Sequence, residues 1–248
     1  MAEAPLLEWR VERHEVIDST QEELRRRLIA GEEIDRLVVR AGAQTMGKGR
    51  RADEWRSGPG GSYQSLAVSD WSGSLRSSYF PLAIAVGIAE AFHDRGVAIA
   101  LKWPNDLHLW NEASSVGPMS RLPGKIGGIL CQYLRNHLLV GVGINVRNEP
   151  PPGAGALPGL DPADVSDLVL AAVARSLVKI DPRLPDRFAR FDPLTGRVVR
   201  LRTGDRTLLG RCAGTTSEGC LLLETREGRV EVSDGHIVEI DAAVAGSS

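Results

Sequence analysis

Residues 125–146 read KIGGILCQYLRNHLLVGVGINV, and this stretch is the strongest indication of a β-sheet in the chain. Two apolar runs, 125–134 and 137–146, stand on either side of Arg135 and Asn136, which is the pattern of two strands joined by a short turn. The glycine pair in the first run often marks the close approach of a ligand or a backbone, although a bulge or a tight strand crossing explains it as well. We therefore predict a β-hairpin whose glycines are candidates for a site.

Strand and helix patterns alternate before this hairpin. Asp18, Ser19 and Thr20 offer capping side chains to a helix that ends at Gly31. Residues 79–95 carry apolar groups at helical spacing. Short strands are predicted at 11–17, 34–41, 62–70 and 97–106, with 107–110 as the hairpin partner of the last.

Less regular sequence follows the hairpin. A Pro/Gly-rich loop is expected at 150–162, then a helix that begins at Asp164 or Ser166 and runs to about Ile180. Residues 181–196 are expected to hold one short helix.

The last part of the chain changes character. Residues 197–241 contain five or six short β-rich runs separated by Gly and Asp turns, a pattern that predicts a small barrel. We therefore divide the chain into residues 1–194 and 195–248, with a frayed tail at 242–248.

Composition limits the class of protein. The chain has 248 residues, of which 42% are hydrophobic and 25% charged, as in ordinary globular proteins. The formal charge of -2 argues against a protein that coats nucleic acid. Three cysteines without a CxxC pair suggest reduced thiols and a cytoplasmic location. No apolar run reaches the roughly 18 residues that a membrane helix needs, and the charged N-terminus does not read as a signal peptide.

The segment QTMGKGRRADEW (44–55) lacks the periodicity of a strand or helix. Lys48, Arg50 and Arg51 alternate with Gly47 and Gly49. Glycines let a backbone approach a ligand and adopt positive φ, while Arg and Lys can bind phosphate. We interpret the segment as a positively charged flap that orders over an anionic substrate.

Three further segments carry polar groups at strand ends. KWPND (102–106) ends a predicted strand, Lys125 begins the hairpin, and Asn145 ends it. Taken singly, each is explained as well by an ordinary turn or strand end.

Taken in order, these segments resemble the catalytic module of biotin protein ligases. The resemblance covers nearly the whole chain, and KWPND followed by K-x-x-G-I-L and G-x-G-I-N is its most specific part. Its motifs are DST (18–20), QTMGKGRR (44–51), Trp55, KWPND (102–106), KIGGIL (125–130) and GVGIN (141–145).

The resemblance implies an α+β fold. A mixed β-sheet packed by helices, as in class II aminoacyl-tRNA synthetases and the biotin–lipoate ligases, is followed by a small C-terminal SH3-like barrel. Ser19 and Thr20 stand almost at the start of the chain, which leaves no room for the N-terminal helix-turn-helix of the family's regulators. A ligase that does not bind DNA is therefore expected.

The implied activity is the ATP-dependent joining of biotin to a protein. Biotin and ATP give biotinyl-5′-AMP, which passes biotin to a lysine of a biotin carboxyl carrier domain, and Mg²⁺ is expected with ATP. Ser19, Thr20 and Gln44 match positions that hold the ureido end of biotin. Backbone groups near Lys48 and Gly128 complete that pocket.

Other positions match the rest of the family's site, from the biotin pocket to its nucleotide end. Trp55 closes the apolar wall of the biotin pocket. Lys125 lies beside the biotin carboxylate and the α-phosphate, so it is both a biotin and an ATP contact and, with Arg50, a catalytic residue. Lys48, Arg50 and Arg51 fold over the phosphates, Asn105 and Asn145 face the adenosine, and Asp106 orients Lys102 or the acceptor lysine.

The sequence also departs from the family pattern. The usual GRGR loop is GKGR here, so Lys48 keeps a charge but loses the two-pronged fork of Arg. Asp53 and Glu54 add negative charge beside the loop, and Gln132 replaces the usual Glu. Residues 111–123 are predicted to be an inserted surface loop.

Two alternative functions stay open at this stage. One is a lipoate or octanoate ligase or transferase of the same fold, and the other is a biotin-binding regulatory module without ligase activity. The sequence does not name the acceptor carboxylase. It also leaves open whether exposed sheet edges pair two chains into a homodimer.

Overall fold

The computed structural model describes residues 8–69, 78–110, 122, 124–157 and 159–241. Its larger sheet has seven strands in the order β1-β2-β3-β7-β6-β5-β4. β1 and β2 are parallel neighbours, and the chain between them forms a helix. The other neighbouring strands are antiparallel. The strands are β1 (Arg10–Ile17), β2 (Leu37–Gln44), β3 (Ser62–Val68), β4 (Ile99–Lys102), β5 (Asp106–Leu109), β6 (Lys125–Leu134) and β7 (His137–Ile144).

Helices cover both faces of this sheet. The described helices are α1 (Thr20–Ala30), α2 (Tyr79–His93), α3 (Pro162–Ser176) and α4 (Leu184–Ala189). α1 packs on β2, β3 and β7, while α2 and α3 pack on each other and on the sheet. The predicted caps of α1 are present, because the Ser19 side chain accepts a hydrogen bond from the Glu22 amide and Gly31 adopts φ 82°.

β7 shows how the two faces differ. Leu138, Val140, Val142 and Ile144 point into the main core with α2 and α3. On the opposite face, Leu139 packs in the small core under α1. Beyond Leu139 that face of β7 has only glycines until the strand ends, so the apolar cover stops and a cavity begins.

The hairpin predicted at 125–146 is confirmed. β6 and β7 pair from Gly127 opposite Ile144 to Leu134 opposite His137. Arg135 and Asn136 form the turn with φ 47° and 62°, the left-handed conformation that suits the twist of a two-residue hairpin.

A second, five-stranded antiparallel sheet follows. Its order is β11-β10-β9-β8-β12. It shares one core cluster with the larger sheet, and Trp103 donates a hydrogen bond to the Gly219 carbonyl at 2.9 Å. The strands are β8 (Val198–Thr203), β9 (Arg206–Thr215), β10 (Leu221–Thr225), β11 (Gly228–Val232) and β12 (His236–Ile240).

Several predicted boundaries are wrong: β2 extends past position 41 to Gln44, β4 ends at Lys102 rather than at 106, and α3 differs at both ends. α3 begins at Pro162, and Asp161 caps it by accepting from the Ala163 amide, so the helix starts before Asp164 and ends at Ser176. Proline at the first helical turn lacks only an amide that would be unpaired there anyway.

Some predictions are not decided by the described residues. Residues 111–121 and 123 of the expected inserted loop, and the tail 242–248, lie outside them. The division at 194/195 stays a prediction. None of the helices in the described part of the chain is long and apolar enough to cross a membrane.

Candidate active site

A cavity of about 870 Å³ opens on the α1 side of the larger sheet. The N-terminus of α1, the loop at 44–55, the β6–β7 hairpin and the second sheet surround it. It brings together all but one of the predicted site residues: Ser19, Thr20, Gln44, Lys48, Arg50, Arg51, Trp55, Asn105, Asp106, Lys125, Gly128 and Asn145.

Glycines form the floor of the cavity. Gly128 pairs with Gly143 across the hairpin, and Gly141 lies two residues before Gly143 on the same face. A Cβ on Gly143 would lie 2.5 Å from the Trp55 indole nitrogen, and one on Gly141 would lie 2.7 Å from Gln21 Oε1. A Cβ on Gly128 would lie 3.8 Å from the Asn105 carbonyl oxygen and from Asp106 Oδ1, its nearest contacts, so the backbone there is open to a ligand.

A neutral hydrogen-bond network forms one end of the cavity. The Thr20 amide and hydroxyl lie 2.8 and 3.2 Å from Gln44 Oε1, and the Thr20 hydroxyl also lies 2.8 Å from the Ser65 hydroxyl. Gln44 Nε2 donates to Ser57 Oγ at 2.7 Å. Because the oxygen of Gln44 is held by Thr20, its amide orientation is fixed towards the cavity wall.

Gln21 is a lining residue that we did not predict. It is 3% exposed, and its Nε2 donates to Gln132 Oε1 at 2.9 Å. Its Oε1 is buried without a partner among the described residues, as is the indole nitrogen of Trp55. Buried polar atoms normally have a hydrogen-bond partner. One acceptor and one donor beside the neutral network are therefore available to a ligand.

The loop at 44–55 differs from the expectation in its backbone. Gly49 has φ -105°, and the residue with positive φ is Arg51, at 56° within a turn of 3₁₀ helix at Arg50–Ala52. Gly47 is required for packing instead, because a Cβ there would lie 2.3 Å from the Trp55 carbonyl oxygen. The glycine thus brings Trp55 and the loop together.

The two arginines of the loop are tied to the second sheet. Asp234, in the turn before β12, forms ion pairs with Arg50 and with Arg51, the latter at 3.5 Å. Arg50 also donates to Asn105 Oδ1 at 3.2 Å. No local pattern indicated that Asp234 would reach this loop, since it is an ordinary turn residue 183 positions after Arg51.

Lys125 and Asp106 form the most buried charged contact of the cavity. Lys125 Nζ lies 2.7 Å from Asp106 Oδ1 and 5.6 Å from the centre of the Trp55 ring. Burial alone would raise the pKa of Asp106, but the charge and hydrogen bond of Lys125, helped by Lys102, outweigh it and lower that pKa. Asp106 is therefore ionised at neutral pH and holds Lys125 in place.

Asn105 and Asn145 lie at the ends of two strands and are partly satisfied. Asn105 Nδ2 donates to the Ile129 carbonyl at 2.7 Å. Asn145 donates to the Gly155 carbonyl at 3.1 Å and accepts from Asn148 at 2.9 Å. The bond to Gly155 anchors the end of the loop whose residues 151–154 form part of the cavity wall.

Lys102 is the predicted residue that does not line the cavity. It pairs with Asp106 across the β4–β5 hairpin, and its charge still lowers the pKa of Asp106. Arg202 and His236 of the second sheet line the cavity although sequence reasoning missed them. Their strands were predicted, but nothing local indicated which side chains would face the first sheet.

The sequence model of the biotin/lipoate A/B protein ligase family matches residues 14–148, more than half of the chain. The chain belongs to the biotin/lipoate A/B protein ligase family. The matched region contains every predicted site residue and most of the cavity wall, and it ends before the second sheet.

Curated relatives of this ligase-family chain carry more specific names. It is 28% identical to the bifunctional ligase/repressor BirA of Bacillus subtilis, over 87% of this chain and 69% of that protein. It is also 28% identical to the biotin–[acetyl-CoA-carboxylase] ligase of Paracoccus denitrificans, over 77% of this chain and 85% of that protein.

One solved structure is similar to this chain over nearly its whole length. The biotin protein ligase of Aquifex aeolicus, in complex with biotin and ATP, matches with a TM-score of 0.75 and 25% identity, over 91% of this chain and 96% of that one. The assignment to the biotin protein ligases and the predicted α+β fold are thereby confirmed.

Proposed function

We propose that this chain is a biotin–[acetyl-CoA-carboxylase] ligase, which joins biotin to ATP and passes the biotinyl group to a lysine of a biotin carboxyl carrier domain. One observation carries the proposal: a single cavity joins a neutral hydrogen-bonding end to a cationic end, with Lys125 between them. Biotin has a neutral ureido end and an anionic carboxylate, so it fits this polarity. The names and bound ligands of the relatives support the same activity.

The neutral end suits the ureido group. A cyclic urea offers one acceptor and two donors, and hydroxyls and carboxamides can pair with both. Ser19, Thr20 and Gln44 supply these groups at the N-terminus of α1, and the indole of Trp55 covers the glycine floor. Trp55 packs directly against Gly143, so we place the fused rings beside the indole rather than beneath it, over a floor that carries no side chains.

The first chemical step takes place at Lys125. A carboxylate oxygen of biotin attacks the α-phosphorus of ATP, the new O–P bond forms, and the bond to the bridging oxygen of pyrophosphate breaks. Lys125 offsets the negative charge that accumulates between the two anions. Asp106 orients it, and Asn105 and Asn145 are our candidates for the adenosine contacts.

The loop arginines protect the product. Biotinyl-5′-AMP is a mixed anhydride that water would hydrolyse, so a closed, dry site extends its lifetime. Arg50 already bridges from the loop to Asn105 and to the second sheet. We propose that it and Arg51, with Lys48, stay over the phosphate until the carrier domain arrives.

In the second step the neutral amine of the acceptor lysine attacks the acyl carbon. A C–N bond forms, the C–O bond to AMP breaks, AMP leaves with the negative charge, and the amine nitrogen releases one proton to solvent as the amide forms. Asp106 lies where it can orient the incoming amine, the role we propose for it beside Lys125. Lys102 lies outside the cavity, and we propose that it acts only through its charge, which lowers the pKa of Asp106.

The remaining partners are proposals as well. We propose that Mg²⁺ enters as the complex of ATP. Within the described residues, no group of three or more His, Cys, Asp or Glu side chains is arranged to hold a metal ion. We also keep as proposals a cytoplasmic location, a homodimer through sheet edges and the division at 194/195.

Pyrophosphate release tests the function directly. We expect release from MgATP that depends on biotin and is not supported by lipoate or octanoate. Release with lipoate instead of biotin would point to the lipoate ligases. Tight biotin binding without release in the presence of MgATP would point to a binding module and contradict our proposal.

A further inference from the structure

Two basic side chains of the second sheet reach the cavity without a partner of their own. Arg202 of β8 and His236 of β12 are opposite each other in the antiparallel ladder, and both line the cavity. Neither side chain makes a hydrogen bond or ion pair within the described residues. The cations beside them differ in this respect, since Arg50 and Arg51 contact Asp234 and Lys125 contacts Asp106.

Charged groups from five elements surround His236. Lys102 of β4, Lys125 of β6 and Arg51 of the loop bring positive charge, Asp106 of β5 brings negative charge, and Arg202 lies beside it on β8. Asp234, two residues before His236, is already held by the two loop arginines. The local charge is therefore positive, which favours an anion of several charges.

We propose that Arg202 and His236 form the binding site for the β- and γ-phosphates of ATP, and hence for the pyrophosphate that leaves. The inference rests on the proposed adenylation reaction. It assigns to the second sheet a part in the first chemical step, because the sheet holds the leaving group while Lys125 acts at the α-phosphate. A guanidinium fork and an imidazole suit the oxygens of two linked phosphates.

The histidine makes this site sensitive to protons. His236 is exposed at the cavity mouth, and its partial desolvation, followed by the charges of Lys102 and Arg51, lowers its pKa below the ordinary 6.5 in the ligand-free protein. A polyphosphate beside it favours the imidazolium, so binding takes up a proton. The affinity for polyphosphate therefore falls as pH rises through the pKa of the histidine in the complex, and this part of the pH dependence disappears without His236.

The test uses Arg202→Gln and His236→Asn in the whole chain. We expect each to raise the KM for ATP and the inhibition constant of inorganic pyrophosphate by roughly 10-fold, the loss of one charge-assisted hydrogen bond. The affinities for biotin and for AMP should change less than about twofold, since neither ligand carries a β- or γ-phosphate.

Two matched controls lie outside the cavity. Arg200→Gln removes an arginine of the same strand that pairs with Glu239, and His137→Asn removes a histidine of the β6–β7 hairpin. Both should behave as the parent protein. Thermal melting of all four variants separates a lost contact from a damaged fold.

Titration calorimetry with pyrophosphate in buffers of different ionisation enthalpy measures the proton directly. The parent protein should take up protons near pH 7, and His236→Asn should take up fewer. Unchanged KM for ATP and unchanged pyrophosphate inhibition in folded variants that still make adenylate would overturn this site. Absence of biotin-dependent adenylate in the parent protein would instead overturn the proposed function.

Discussion

Lys125 Nζ lies 2.7 Å from Asp106 Oδ1, on the neighbouring strand of the larger sheet. Asp106 is 9% exposed, so its charge is largely removed from water and depends on this lysine. The pair fixes a positive charge at the junction of the neutral and cationic ends of the cavity. Both residues therefore belong to one unit, and a change in either should affect the reaction more than binding.

Lys125→Ala should lower the rate of adenylate formation by roughly 100-fold or more, the usual loss when a fixed charge that stabilises a transition state is removed. Biotin affinity should stay within about threefold, because the neutral end of the cavity is intact. Single-turnover pyrophosphate release and biotin titration measure the two effects. Lys179→Ala, an exposed lysine outside the cavity, is the control, and equal loss of biotin binding and rate would contradict the role.

Arg50→Gly should let biotinyl-5′-AMP escape, because the loop loses the cation that covers the phosphate and its hydrogen bond with Asn105. The measurement is free adenylate in solution and biotin attached to bystander lysines of an unrelated protein. Asp234→Ala separates two causes, since it frees the arginines without removing them. We expect retention of the adenylate in Asp234→Ala, and a leak equal to that of Arg50→Gly would mean that the tie to the second sheet, rather than the arginine itself, holds it.

Gly143→Ala and Gly128→Ala form a matched pair on neighbouring strands. The new Cβ at Gly143 would lie 2.5 Å from the Trp55 indole nitrogen, so Trp55 must move and biotin affinity should fall about 10-fold or more. The new Cβ at Gly128 has room, so Gly128→Ala should melt like the parent but bind biotin and ATP less well. Normal biotin binding by Gly143→Ala would show that Trp55 is not part of the pocket.

Thr20→Val keeps the size of the side chain and removes the hydroxyl between Gln44 and Ser65. Loss of one such hydrogen bond costs about 1 kcal/mol, so biotin should bind roughly five- to tenfold more weakly. Isothermal titration with biotin measures this. The rate of adenylation at saturating biotin should change little, and a large fall in that rate would place Thr20 at the chemistry instead.

Asp18 gives a prediction for the stability of the fold. Its hydrogen bond with Arg26 lowers its pKa to about 2, below the value of an unfolded aspartate. A lowered pKa stabilises the protein above the unfolded pKa, and this contribution is lost as pH falls from about 4 to about 2. Because the carboxylate is 37% exposed, we expect only about 1 kcal/mol.

Denaturant unfolding of Asp18→Asn tests this contribution. The variant should be less stable than the parent at pH 7 and equal to it near pH 2. A difference that persists at pH 2 would assign the effect to packing rather than charge.

Local sequence patterns were sufficient for the presence of most strands and helices, whereas the candidate site residues came from the resemblance to biotin protein ligases. The β6–β7 hairpin follows from two apolar runs around a polar pair, and α1 follows from Ser19 and Gly31. The start of α3 was misplaced because Asp161 and Pro162 form a better cap than Asp164, a competition between adjacent signals. The cavity residues Thr20, Gln44 and Lys125 were found through the order of the motifs.

Contacts between distant segments could not be predicted in this way. Asp234, Arg202 and His236 approach the site only because the second sheet packs against the first, and no local pattern encodes that packing. Gln21 faces the cavity because it lies one residue inside α1, where an ordinary polar helix residue gives no special signal. The positive φ of Arg51, rather than of the neighbouring glycines, likewise follows from the tertiary position of the loop.

The most direct measurement is the transfer of biotin to an acceptor. Purified protein, biotin, MgATP and a biotin carboxyl carrier domain are combined, and the product is detected with streptavidin. We predict label on the carrier domain, none when its acceptor lysine is replaced, and almost none with Lys125→Ala. Absence of label with biotin, or transfer of lipoate in its place, would contradict the account.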